Sequence, residues 1–302
     1  MKERCFESWQ KEIFARHGAG KFREALGVLA SPPPGLTPAQ RARADFWAAC
    51  LHATLREPEM AVGALERIRD RGGWFAPVWL ERDTDLASIR GHPRFTALLH
   101  IWRERQRVEA EGHRPTLILL EPGGNARGTL IALHGNAGTP ESLRPRYADL
   151  AGAGWRVALA GSGQYGGPEA FVWDDAAQAD AEAADWAREL GGRPVWTGFS
   201  AGAGVALRNV LTGVVPASGV LVVAPSIPAA PAWWPENPAR VPVALVLGEA
   251  DPRTPHTRTV MEKLRVADVP VREWTHPGGH TYPETWDEVR EEGLAWLTAS
   301  SS

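Results

Sequence analysis

The chain has little cysteine: Cys5 and Cys50 are the only two in 302 residues, too few for a disulfide framework. Both fall in stretches that read as helix, where cysteine behaves as a small buried hydrophobe. No run approaches the roughly 18 apolar residues that a membrane span needs, so no membrane partner is expected. Charge of one sign is also missing. Thirty-three Lys and Arg face 36 Asp and Glu, a formal net charge of −3, and the arginines are interleaved with acids as on solvated helix faces. That balance gives no reason to expect nucleic acid or an anionic membrane as partner. The N-terminal MKERCFESWQKEIFARHGAG has neither an uninterrupted apolar core nor a small-residue cleavage site. A secretory leader is therefore not expected, and a cytoplasmic location follows by default. No His, Glu or Cys spacing suggests a metal site, and no cofactor is expected. No basic cluster marks a phosphate pocket, and no insertion is long enough for a large lid.

What remains is an ordinary globular composition, 44% hydrophobic and 23% charged, with length for one large domain or two modest ones. Residues 1–106 carry helical periodicity and no convincing strand. Apolar residues recur three and four apart over 6–16, 20–30, 39–56, 58–71 and 94–106. Pro32, Pro33, Pro34 and Gly35 break the second segment from the third, and Thr37-Pro38 reads as an N-cap with proline at the first helical position. KFREALGVLA and PEMAVGALERI look like two versions of one helix, offset by close to the roughly 34 residues of a tetratricopeptide unit. The stretch resembles a short tetratricopeptide array, with DLASIRGHPRFTALL (85–99) similar to a closing helix. Small alanines at helical spacing also suit a plain helical bundle. If the resemblance holds, a peptide or protein partner is implied for this part.

From 107 to 302 the texture changes. TLILLEP (116–122) and GTLIALHG (128–135) are β-rich runs joined by Gly123-Gly124-Asn125-Ala126-Arg127, a loop composition that predicts an antiparallel hairpin. Strand candidates follow at 155–160, 193–198, 218–224, 241–248 and 269–275, separated by amphipathic helices at 141–153, 174–190, 201–212, 256–267 and 284–298. The continuous apolar runs predict strands buried on both faces, in a mostly parallel α/β sheet covered by helices.

VWTGFSAGAGVAL (195–207) runs from such a strand into an alanine-rich helix, with Gly198-Phe199-Ser200-Ala201-Gly202 at the junction. This G-x-S-x-G pattern is a nucleophile elbow when it stands between strand and helix. Ser200 must then occupy a sharp, strained turn, which Gly198 and Gly202 permit by having no side chains to collide. Gly204 would let the helix approach closely, and the helix N-terminus would favour negative charge at Ser200. A tight turn without chemistry is the plain alternative.

The order of elements and this junction resemble the α/β-hydrolase superfamily over residues 115–302. The nearest subgroups are the phospholipase/carboxylesterase-like and dienelactone-hydrolase-like esterases. The resemblance implies roles for further residues. His134-Gly135 matches the superfamily's HG motif, which makes Asn136 an oxyanion-hole donor through its backbone N–H, with Ala201 supplying the second. His134 itself would brace the loop. Asp251, in GEADPRTP after the second strand beyond the elbow, matches the triad acid, with Glu249 a nearby competitor and a helix-cap role the bland alternative. His280, in HPGGHTYPETW after the last strand, matches the base, with His276 four residues earlier as the competitor. The chain order Ser200, Asp251, His280 is that of the superfamily. One departure is Ala201, where the carboxylesterase subgroup often has glutamine. Only the backbone N–H is needed there, so the departure touches subgroup rather than activity.

By this resemblance the chain is a serine hydrolase acting on a small carboxylic ester or thioester through an acyl-enzyme. A serine peptidase of the same fold is an alternative. So is an adaptor whose helical part binds a partner while the hydrolase fold is a scaffold. Gln164, Tyr165, Trp173, Phe199, Ile227 and Trp233, with Trp234 beside it, are candidates to line the substrate pocket at the sheet's carboxyl edge. For each aromatic, plain core packing is the competing role.

Overall fold

The computed structural model describes residues 5–167, 170–228 and 231–300. Backbone contacts divide the chain into one unit of Met1–Glu111 with Gly166–Pro168 and a second of Gly112–Tyr165 with Glu169–Ser302.

The first unit is helical: α1 (Phe6–Gly18), α2 (Phe22–Leu29), α3 (Pro38–Thr54), α4 (Pro58–Asp70), α5 (Pro77–Arg82) and α6 (Pro93–Ala110). Four of these begin on proline, whose fixed φ suits the first helical position and whose missing N–H would have no partner there. Thr37 caps α3 in a reciprocal box with Gln40. Each of the first three helices packs against the next. Ala25, Ala49, Ala53, Ala61 and Ala64 are fully buried, so the backbones can approach closely. Trp9, Ile13, Ala25 and Leu51 form the core beneath α1 and α2, where the Trp9 indole donates to the Val28 carbonyl at 2.8 Å.

Three expectations change in this unit. Cys5 lies outside α1, at its N-cap, and is exposed. The stretch 85–99 is a 3₁₀ turn (Ala87–Ile89) and the start of α6, because Pro93 opens a new helix rather than continuing one. Helix α5 was not expected, since six residues are too few to show a period. Cys50 is buried as anticipated; burial and the neighbouring Asp83 and Asp85 push its thiol well above the usual range.

The strands among the described residues are β1 (Thr116–Leu120), β2 (Gly128–Leu133), β3 (Trp155–Gly161), β4 (Tyr165–Gly167), β5 (Ala170–Phe171), β6 (Val195–Phe199), β7 (Gly219–Val223), β8 (Val243–Gly248) and β9 (Val271–His276). Seven form one sheet in the order β1-β3-β2-β6-β7-β8-β9, and β4 pairs with β5. Only β1 runs antiparallel, against β3; every other pairing in the large sheet is parallel. The predicted hairpin is thereby corrected, since β1 and β2 flank β3 and do not pair. The link between them is long enough to step across one strand, a span of about 10 Å. Glycine and asparagine in that loop signal a turn but do not say how far the chain travels.

Alternate residues of the central strands enter two cores. Ile131, Leu133, Ala158, Ala160, Val220 and Val222 pack under α8 (Ala176–Leu190), α9 (Ser200–Leu211) and α10 (Thr254–Val266). Leu130, Ala132, Val157, Leu159, Leu221 and Val223 pack on the other face, under α11 (Trp286–Ser300) and the segment around Tyr147. The helix expected over 141–153 is instead a chain of short turns, with α7 (Arg144–Tyr147) between two 3₁₀ segments. Pro145, inside that stretch, removes an N–H that a longer helix would need for its hydrogen-bond ladder, whereas Pro140 only opens the first turn. Among the described residues, no helix is long and apolar enough to cross a membrane.

Candidate active site

Strand β6 ends at Phe199 and α9 begins at Ser200 without an intervening loop. Ser200 sits at φ +54°, in the left-handed region that side chains avoid. Such a conformation costs on the order of 1–3 kcal/mol and persists only where the surroundings enforce it. The enforcement is visible at the neighbouring glycines. A Cβ on Gly198 would lie 2.7 Å from the backbone of Gly202 and Ala203. One on Gly202 would collide with the His134 carbonyl oxygen, and one on Gly204 with that of Ser226. The close approach at Gly204 is therefore to the segment after β7, not to the preceding strand. Ser226 returns its N–H to the Ser200 carbonyl at 2.9 Å, closing the turn from that side.

The ends of β8 and β9 bring two side chains to this serine. His280 Nε2 lies 2.8 Å from Ser200 Oγ, and His280 Nδ1 lies 2.6 Å from Asp251 Oδ2. Asp251 Oδ1 accepts from the Arg253 N–H at 3.0 Å, with the Arg253 Nε 3.5 Å away. Burial pushes the Asp251 carboxyl up, but the hydrogen bonds from Arg253 and His280 and their charge outweigh it, and its pKa lies below the ordinary value. For His280, burial favours the neutral ring more than Asp251 favours the cation, so its pKa lies below 6.5. With Asp251 ionised, Nδ1 carries the proton that donates to it, leaving Nε2 to accept from the serine hydroxyl. Glu249 is exposed, and its backbone N–H donates to the His276 carbonyl. His276 Nδ1 accepts from the Gly278 N–H at 3.2 Å, bracing the turn before His280. The line from Ser200 to the acid runs through His280 and Asp251, not through these two competitors. At Gly248 a side chain would collide with the carbonyls of Gly278 and Gly279, so the segments bearing Asp251 and His280 meet backbone to backbone.

The loop after β2 forms the facing wall. A Cβ on Gly135 would lie 2.9 Å from the Phe199 ring and 3.5 Å from Ser200 Cβ, which places this loop directly against the elbow. The Ala201 N–H belongs to the first turn of α9, where no intrahelical acceptor exists. Asn136 uses its side chain for structure, with Oδ1 accepting from the Trp173 N–H at 3.0 Å. The Trp173 indole donates to the His134 carbonyl at 2.7 Å, and Phe171 exchanges backbone hydrogen bonds with Ala137 and Gly138. Residues 171–173 are therefore a strap along the loop. His134 is buried, with Nδ1 2.8 Å from the Gly135 carbonyl and Nε2 accepting from the Ser162 N–H. Burial lowers its pKa to about 4, against a smaller opposing effect of the Gly135 hydrogen bond, so it stays neutral.

The residues expected to line a pocket divide. Phe199 lies at the reacting groups, its ring 5.0 Å from His280 and stacked at 5.0 Å on Tyr282. Trp173 and Ile227 are buried in the core that holds α8 to α10. Gln164 clamps Asp175 with both ends of its amide, at 2.7 and 2.8 Å. Tyr165 stacks on His113 at 4.2 Å, and Trp233 lies against Trp234 at the edge of the core. Core and clamp roles thus occupy most of this set. Ala229 and Ala230, between Ile227 and Trp233, lie outside the described residues. In sequence Tyr282 is the aromatic of HTYPETW, a run that resembles the superfamily's His-x-aromatic-Pro pattern around the base, but its stack on Phe199 is not legible there. Trp173 is read there as a pocket residue, and that 171–173 strap the loop after β2 is seen only in the structure.

This chain has the α/β-hydrolase fold, with a helical unit preceding it. No family's sequence model matches the chain, and no curated protein matches it. Among solved structures it is similar to an uncharacterized protein from Bacillus cereus ATCC 10987, at 20% identity and TM-score 0.53, over 98% of this chain and 100% of that one. It is similar to TT1662 from Thermus thermophilus, at 19% identity and TM-score 0.50, over 60% of this chain and 92% of that one. A Bacillus cereus carboxylesterase aligns at 16% identity and TM-score 0.49, over 64% of this chain and 98% of that one. At these identities the likeness is one of fold.

Proposed function

We propose that the chain is a serine hydrolase cleaving a carboxylic ester or thioester through an acyl-enzyme. The observation that carries this reading is the line from Ser200 Oγ through His280 to Asp251, at 2.8 and 2.6 Å, on a serine held at positive φ. Ser200 Oγ attacks the carbonyl carbon while its proton passes to His280 Nε2. Asp251 holds the ring in the required tautomer and stabilises the imidazolium. The tetrahedral oxyanion is met by the N–H groups of Asn136 and Ala201, a pair of donors that contributes several kcal/mol to the transition state. Collapse breaks the bond to the leaving oxygen or sulfur, which takes the proton from His280. Water, deprotonated by the same imidazole, then attacks the acyl carbon and releases the acid and Ser200.

The test is hydrolysis of p-nitrophenyl esters of increasing acyl length by the full chain. Wild type is expected to turn over the shorter esters, and Ser200→Ala to lose both that activity and labelling by a fluorophosphonate probe. An equally active Ser200→Ala would overturn the reading. For the helical unit we retain the tetratricopeptide-like reading and a peptide partner, supported by the neighbour-to-neighbour packing of α1 to α4.

A further inference from the structure

We infer that Tyr282 is a positioning residue for His280, holding the segment that carries the base against the nucleophile strand through its stack on Phe199. The inference rests on the hydrolase reading above. His280 follows Gly278 and Gly279, two residues with wide backbone freedom, and its hydrogen bond to Asp251 fixes one edge of the ring but not its tilt. The tilt is met by Phe199, whose ring lies 5.0 Å from the imidazole at 44°. Phe199 immediately precedes Ser200, so whatever fixes its ring refers the base to the nucleophile itself.

Tyr282 is what fixes it. The two rings are stacked, 5.0 Å apart and 21° from parallel. The Arg146 guanidinium lies over the Tyr282 ring at 4.8 Å, and the Trp286 ring meets Tyr282 near-perpendicularly at 4.8 Å. Trp286 is itself anchored. Its indole donates to the Arg146 carbonyl at 3.0 Å, and its ring meets that of Tyr147, whose hydroxyl lies 3.1 Å from Thr197 Oγ1 on β6. The Tyr282 hydroxyl is buried and interacts with that of Tyr147, and burial pushes it well above the usual tyrosine range. The ring makes the stack on Phe199, so the ring carries the role, and a phenylalanine here keeps it.

The experiment compares Tyr282→Phe and Tyr282→Leu in the full chain. It measures kcat and KM on a short p-nitrophenyl ester, thermal unfolding, and the downfield proton resonance of the His280 Nδ1–H bonded to Asp251. Tyr282→Phe is expected to keep kcat within about twofold. Tyr282→Leu is expected to lower kcat by about tenfold to a hundredfold with KM little changed, as misplacement of a reacting group does, and to broaden the resonance. A Leu variant with wild-type kcat and resonance, or a Phe variant as impaired as Leu, would overturn the inference. Should Tyr282→Leu not fold, Phe199→Leu removes the other half of the stack and must reproduce the loss. The resonance is read without substrate. If wild type hydrolyses no ester, the hydrolase reading fails while the resonance still decides whether Tyr282 positions the ring.

Discussion

Burial and a carboxylate pull the His280 imidazole in opposite directions, and burial prevails. Arg253 adds to the downward pull on His280 and also helps keep Asp251 ionised. The neutral ring is the form that accepts the serine proton, so activity is retained above the His280 pKa and lost as pH falls through it. The acid limb of kcat/KM for ester hydrolysis is therefore expected below 6.5, the ordinary imidazole value. In Arg253→Ala, one influence that disfavours the cation is gone, and the limb should move to higher pH. A limb that stays put or moves down in that variant would show that Arg253 does not act on the ring's charge. Residue by residue, Ser200, Asp251 and His280 were legible because each occupies a strand end with a recognisable local pattern. Trp173 and Gln164 were read as pocket residues, yet both are spent on internal hydrogen bonds. A strand edge near a site predicts proximity to it, not which way an indole or amide turns.

Elements were legible where burial imposed a period. The runs in β6, β7 and β8 are apolar at nearly every position because these strands are covered on both faces. Pairing was less legible, since β1 lies beside β3 rather than β2 and nothing in the short link encodes that choice. The contact between α9 and the segment after β7 gives a test at this scale. A methyl group at Gly204 would strike the Ser226 carbonyl oxygen, a backbone atom that cannot swing aside. Gly204→Ala is expected to lose about 1–3 kcal/mol of stability in urea unfolding, the usual range for overpacking. Because the Ser226 N–H also holds the Ser200 carbonyl, its specific activity should fall too. Unchanged stability would mean that helix and loop separate freely.

At the scale of the whole molecule, each unit encloses buried side chains of its own. Leu65 in α4 and Leu221 in β7 are both fully buried, and replacing either with alanine should cost about 2–5 kcal/mol. We expect Leu221→Ala to lower the denaturant midpoint at which ester hydrolysis is lost. Leu65→Ala should instead shift a helical transition followed by far-ultraviolet circular dichroism. Equal displacement of both signals by both substitutions would show a single cooperative block. The change from helical to alternating texture near residue 107 was visible in sequence because the hydrophobic period itself changes there.

The backbone at Ser200 also bears on how the chain can drift under mutation. Glycine adopts φ +54° at little steric cost, so Ser200→Gly would relieve the turn of its strain while giving up the 2.8 Å hydrogen bond between Ser200 Oγ and His280. The two effects oppose one another, so the elbow's backbone geometry and its hydroxyl are separable: the strain belongs to the turn, the hydrogen bond to the side chain.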